Sequence, residues 1–205
     1  MANRADIRDY ARDYIYEATA DLLTDARLNN GITHTLRELP RKGIYLEEIW
    51  TEAMVKDKIG YALPLGTIKV EKLEKNVGTT ALPDWQEIAG WDNYGGAIYL
   101  RSRPSTTDTM RVHLKRKFTN LTDDTTVTDV PDDKLELVAT GTALRAYKML
   151  MGYFMRAANW DALGKPDGTD MGKLSRWIRQ LDEDYNKLLK SFRTVPRART
   201  INLVD

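Results

Sequence analysis

Apolar residues at three-and-four spacing mark helices at both ends of this chain, and a shorter, alternating pattern fills its middle. Ile7, Tyr10, Ala11, Tyr14, Ala18, Leu22 and Ala26 line one helical face, which predicts a helix over residues 5–28. Asn29, Asn30 and Gly31, residues that tolerate left-handed backbone, supply its expected end. A second stripe, including Leu135, Val138, Ala139, Thr142, Ala146, Met149, Leu150 and Tyr153, predicts a helix over 132–160, with Pro131 beside its start. Leu174, Trp177, Ile178, Leu181, Tyr185, Leu188 and Phe192 predict a third over 170–192. The last segment, 193–205, has no helical period and is expected to be extended.

Between residues 33 and 118 short β-branched and aromatic runs are separated by Gly, Pro and Asn. They predict strands over 44–55, 66–73, 85–91, 97–103 and 110–118, although LEEIWTEAMV in the first run also suits a helix. Met110, Val112, Leu114 and Phe118 alternate with Arg111, His113, Lys115 and Lys117, so one face is apolar and the other basic. Turn residues PSTTDT before this run predict a hairpin with strand 97–103. The expected fold class is α+β: an N-terminal amphipathic helix, a central antiparallel β region and two long C-terminal helices. Residues 1–192 are expected to make one domain, followed by the tail 193–205.

The totals narrow the chemistry. With 31 basic and 30 acidic residues the net charge is +1, so any electrostatic role must be local rather than spread over the whole surface. The absence of cysteine removes disulfides and thiolate sites. Two histidines, His34 and His113, define neither a multi-histidine metal centre nor a triad, and no Ser or Thr has a His-and-acid context. The charged N-terminus has no apolar signal-peptide core, and the cluster Met149–Met155 is too short and polar to span a bilayer. The sequence therefore predicts a soluble protein that is not an enzyme, with no cofactor and no metal site.

Three features carry the candidate chemistry. Asp123, Asp124, Asp129, Asp132 and Asp133 lack the spacing and central Gly of a Ca²⁺ loop. Turn formation by Asp123 and Asp124, and helix capping by the other three, outweighs a metal-dependent hydrolase site there. Trp85, Trp91, Tyr94 and Tyr99 suit core or subunit contacts better than base or sugar stacking. On the expected hairpin, Arg101, Arg103, Arg111, His113, Lys115 and Lys117 gather like charges that repel one another and call for a partner. Nucleic-acid phosphates, an acidic surface of another subunit, or the chain's own Glu47, Glu48 and Glu52 all fit.

The order of elements resembles a known structural family. An amphipathic helix precedes Tyr61-Ala62-Leu63-Pro64 and Ile68-Lys69-Val70; IYLRSRP and MRVHLKRKF then lead into LTDDTTVTDVPDDKLELVATGTALRAYKML and a further long helix. This is similar to the head–tail connector (adaptor, or head-completion) proteins of tailed bacteriophages. Residues 44–55 and 85–96 depart from the pattern as a possible insertion, and neck stopper and tail-terminator proteins share some of these elements. The resemblance implies a structural protein of the virion neck, assembled in the host cytoplasm. It would form a dodecameric ring beneath the portal, extend the channel through which double-stranded DNA passes without sequence-specific binding, and offer a surface to the tail or neck proteins. The resemblance also implies that helices form the ring body and that the sheet region faces the tail. By the same resemblance, the C-terminal segment, with Arg193, Arg197, Arg199, Ile201 and Leu203, reaches the portal, and no membrane is involved. The alternative is a nucleic-acid-binding module that uses the basic face Arg101–Lys117.

Overall fold

In a computed structural model, residues 2–15, 22–156 and 171–192 are described, and the class is α+β. The chain divides into two compact units: a helical one from residues 1–44 and 119–205, and a β unit from Tyr45–Phe118.

In the helical unit, α1 spans Arg4–Arg12 and α2 spans Asp25–Glu38, followed by a 3-10 turn over Leu39–Lys42. After the short 3-10 turn Asp132–Lys134 come α3, Leu135–Arg156, and α4, Met171–Phe192. A continuous helix over 5–28 is therefore corrected to two helices, and Asn29–Gly31 lie inside the second rather than at an end. The ion pair between Arg12 and Asp25 shows why. Thirteen residues apart on one straight helix, they would sit about 20 Å from each other. The residues 16–21, 157–160 and 170 of the expected helices, and the whole tail 193–205, lie outside the described residues.

Local chemistry sets these ends. Asn3 and Asp6 form a reciprocal capping box, at 3.0 and 2.8 Å, that starts α1. Gly43, at φ 84°, closes the 3-10 turn in the left-handed region that glycine tolerates best. The helix α3 packs against α1, α2 and α4. Its run of small residues allows this: a Cβ on Gly141 would meet the Thr35 side chain at 2.7 Å and the Tyr185 ring at 2.8 Å. Gly31 approaches the Thr142 carbonyl in the same way, at 2.8 Å, so that glycine marks a helix crossing and not a helix end.

The β unit holds β1 (Leu46–Met54), β2 (Gly60–Ala62), β3 (Thr67–Asn76), β4 (Trp85–Glu87), β5 (Trp91–Tyr94), β6 (Ala97–Leu100) and β7 (Asp108–Arg116). They form an antiparallel four-stranded sheet in the order β1-β7-β3-β4 and a three-stranded one in the order β2-β6-β5. LEEIWTEAM is thus a strand. The run 85–91 is two strands in different sheets, and the expected hairpin of 97–103 with 110–118 does not form. Here β6 pairs with β2 and β5, while β7 lies between β1 and β3. One core joins the sheets: Met54, Val70, Leu73, Met110, Val112 and Leu114 from the larger pack with Tyr61, Ile98 and Leu100 from the smaller. That burial removes apolar side chains from water, at about 25 cal/mol per Å2. The buried Tyr61 hydroxyl accepts a hydrogen bond from the Val55 amide at 3.0 Å and lies 3.1 Å from the Lys58 carbonyl, which fixes the β1–β2 turn.

Candidate assembly surfaces

The basic face of β7 is balanced from within its own sheet. Arg111 stands directly across from Glu74 on β3, and its Nε donates to Glu74 Oε2 at 2.5 Å. His113 Nε2 lies 2.8 Å from the same oxygen, and Lys72 Nζ is 2.5 Å from the other. Burial alone would raise the Glu74 pKa, but hydrogen bonds from Arg111, Lys72 and His113 bring it down to about 2. The Arg111 guanidinium also covers the Trp85 ring at 4.2 Å. Lys115 pairs with Glu71 at 2.7 Å, and Arg116 with Glu48. Of the acidic partners expected from the sequence only Glu48 takes part; Glu71 and Glu74 do most of the neutralising.

Because the hairpin is absent, Arg101 and Arg103 do not join this face. Just beyond β6, Arg101 makes a two-pronged bond to Asp92 on β5, at 3.0 and 3.1 Å, and Arg103 is exposed in the segment that follows. Lys117 is exposed just past β7. Tyr94 and Tyr99 stack on each other with centroids 4.2 Å apart. The turn after Tyr61-Ala62-Leu63-Pro64 carries Leu65 94% exposed, and the β3–β4 loop carries Leu82 80% exposed. These are the two most exposed large apolar side chains among the described residues.

In the helical unit the acidic turn is a structural clasp. Asp123 accepts hydrogen bonds from the hydroxyls and amides of Thr126 and Thr125, which hold its carboxyl well below the usual range. Asp124 does not serve the turn. It takes a two-pronged bond from Arg8, at 2.7 and 2.8 Å, and another from Arg4 at 2.8 Å, which lower its pKa to about 2. Arg8 itself is only 8% exposed and also reaches Asn29 on α2 at 3.1 Å. Asp129 caps no helix; it binds the amide and hydroxyl of Thr119. Pro131 occupies the N-cap position of the 3-10 turn, with Asp132 and Asp133 in its first turn.

Two concave surfaces of this unit were not singled out from the sequence. An open groove of about 850 Å3 runs between α1 and the start of α3, lined by Asp6, Asp9, Asp13, Asp132 and Glu136, with Tyr10 and Tyr14. No basic residue lines it among the described residues. A smaller pocket of about 370 Å3 lies among α2, α3 and α4, bordered by His34, Lys42, Arg145 and Lys148, by the carboxylates Glu38 and Asp182, and by Tyr185. Lys148 is held by Asp182 at 2.6 Å and Lys42 lies 3.5 Å from Glu38, whereas the half-exposed Arg145 has no ion pair or hydrogen bond among the described residues. The Tyr185 hydroxyl is buried with no hydrogen-bond partner among the described residues, and burial pushes its pKa up. Only the tertiary arrangement gathers these residues, from positions far apart in the chain. Their one signal in the sequence was polar residues flanking the apolar helical stripes.

No helix among the described residues is long and apolar enough to cross a membrane. No protein-family model matches the chain, and no curated protein matches it in sequence.

Proposed function

We propose that this chain is a structural connector of the head–tail junction of a tailed bacteriophage, an adaptor that assembles as a ring on the portal and presents a docking surface to the tail. The observation that carries the reading is the division of the chain. Both ends build a helical unit around α3, and a β unit is inserted between them at Tyr45–Phe118. That matches the division of labour in the family the sequence resembles, with helices as ring body and a sheet region for the tail side. The turn tips Leu65 and Leu82 give the β unit apolar contact points for that docking. The polar clusters around Glu74, Asp123 and Asp124 are engaged in tying elements together. The segment 193–205, with Arg193, Arg197, Arg199, Ile201 and Leu203, is the part assigned to portal contact, and the channel passes DNA without reading its sequence.

Electron microscopy of the chain mixed with the portal protein of the same phage tests this. Rings seated on the portal are expected, and their loss on truncation after Phe192 would assign the contact to the tail segment. A chain that never associates with that portal overturns the reading.

A further inference from the structure

Most edges of the two sheets are too short to take another strand: β2 and β4 span three residues each and β5 four. The edge strand β1 differs. Its nine residues, Leu46–Met54, pair with β7 in one unbroken register, with no bulge and no proline. Among the described residues, no backbone group of this strand is hydrogen-bonded outside that pairing. Every second residue therefore turns an N–H and a C=O toward the free side.

Proteins close such edges with lysines, prolines, bulges or inward-pointing charges, and β1 has only the last. Glu48 and Glu52 share a face with Trp50 and Met54, which pack on the core. Glu47, Ile49, Thr51 and Ala53 form the other, exposed face, with Ile49 at 56%. Glu48 is paired with Arg116, whereas Glu47 and Glu52 have no ion pair among the described residues, and the strand holds no basic residue. Such a guard is selective. Three glutamates repel an acidic strand, β1 of a second copy included. A strand with bases on one face and apolar residues on the other reverses the effect: its bases meet Glu48 and Glu52, and its apolar face extends that of Ile49 and Ala53. The tail of this chain lacks that alternation, since Arg197, Arg199, Ile201 and Leu203 all fall at odd positions.

We infer that β1 receives an extended segment of a partner protein, with alternating basic and apolar residues, as a fifth strand of the larger sheet. The choice of partner rests on the connector reading, under which it is the tail-side neighbour.

Fluorescence anisotropy of the full chain with a capped peptide as long as β1, alternating lysine and valine, tests this. The peptide should bind, more weakly as salt is added. The same peptide N-methylated at every residue keeps its charges but offers the edge no amide, and should lose most of the binding. Glu52→Lys turns one attractive cross-strand position repulsive and should weaken binding about fivefold. Its far-UV spectrum should stay unchanged, because Glu52 has no ion pair to lose, and a glutamate–valine peptide should bind it better than the natural chain.

Equal binding of the N-methylated peptide, or indifference to Glu52→Lys, overturns the inference. So does displacement of the lysine–valine probe by a peptide of residues 193–205, which would make the tail the occupant. If the lysine–valine peptide does not bind while rings still seat on the portal, this site falls and the connector reading stands. If it binds as expected to a chain that never seats on the portal, the strand site stands and the connector reading falls.

Discussion

Glu74 shows how a single side chain decides the character of a whole face. One nearly buried carboxylate collects Arg111, Lys72 and His113, so a strand that would repel itself becomes the centre of a sheet. Replacing it by Gln removes the charge and keeps the shape, leaving three cationic or basic groups without their anion. Glu74→Gln should therefore destabilise the β unit by about 3 kcal/mol, read from urea unfolding. The pH dependence has a defined sign. The folded pKa, about 2, lies below the usual value of 4.5, so this contribution is fully present above about pH 4.5. It is lost as the pH falls from there toward 2, and the Gln variant should show a flatter stability profile across that window. The Tyr61 hydroxyl acts more locally. Tyr61→Phe leaves the Val55 amide without its acceptor and should cost about 1–2 kcal/mol in the same measurement.

Among the elements, glycine divides into two roles that the sequence does not separate. Gly43 ends a helical turn through its positive φ, whereas Gly31 sits within α2 because α3 crosses there. Alanine is the better helix former by about 1 kcal/mol, yet its Cβ at position 31 would lie 2.8 Å from a backbone carbonyl that cannot swing aside. Gly31→Ala should thus lower thermal stability, by about 1 kcal/mol net, where an exposed helical glycine would gain from the same change. The same distinction explains what was legible. Burial of Leu174, Leu181 and Tyr185 on α4, and the alternation of Met110, Val112 and Leu114 against Arg111, His113 and Lys115 on β7, follow from periods of 3.6 and 2 that side chains write directly into the sequence. The break between α1 and α2 left no such mark, because the apolar spacing continues in phase on both sides of it. Nor did strand pairing: β6 and β7 are adjacent in the chain, but each finds its neighbours through distant partners, β2 and β3 among them. The groove and pocket depend on those long-range contacts and were invisible for the same reason.

For the whole molecule, the decisive fact is that the β unit enters and leaves through adjacent strands. Leu46 opens β1 and Arg116 closes β7, and the two are direct partners in the register. Residues opposite each other in an antiparallel pair have Cα atoms about 5 Å apart, a gap that two or three glycines span. The core of the β unit is drawn from its own residues, and the Arg8–Asp124 clasp, the α2–α3 crossing and both charged surfaces come from the rest of the chain. Replacing residues 46–116 by a short Gly-Ser link should accordingly leave a cooperative helical protein by circular dichroism. Under the connector reading that shortened chain should still sit on the portal while failing to recruit a tail, because Leu65 and Leu82 leave with the β unit. Tail attachment that survives the deletion would move the docking surface onto the helices and reverse the assignment of the two units.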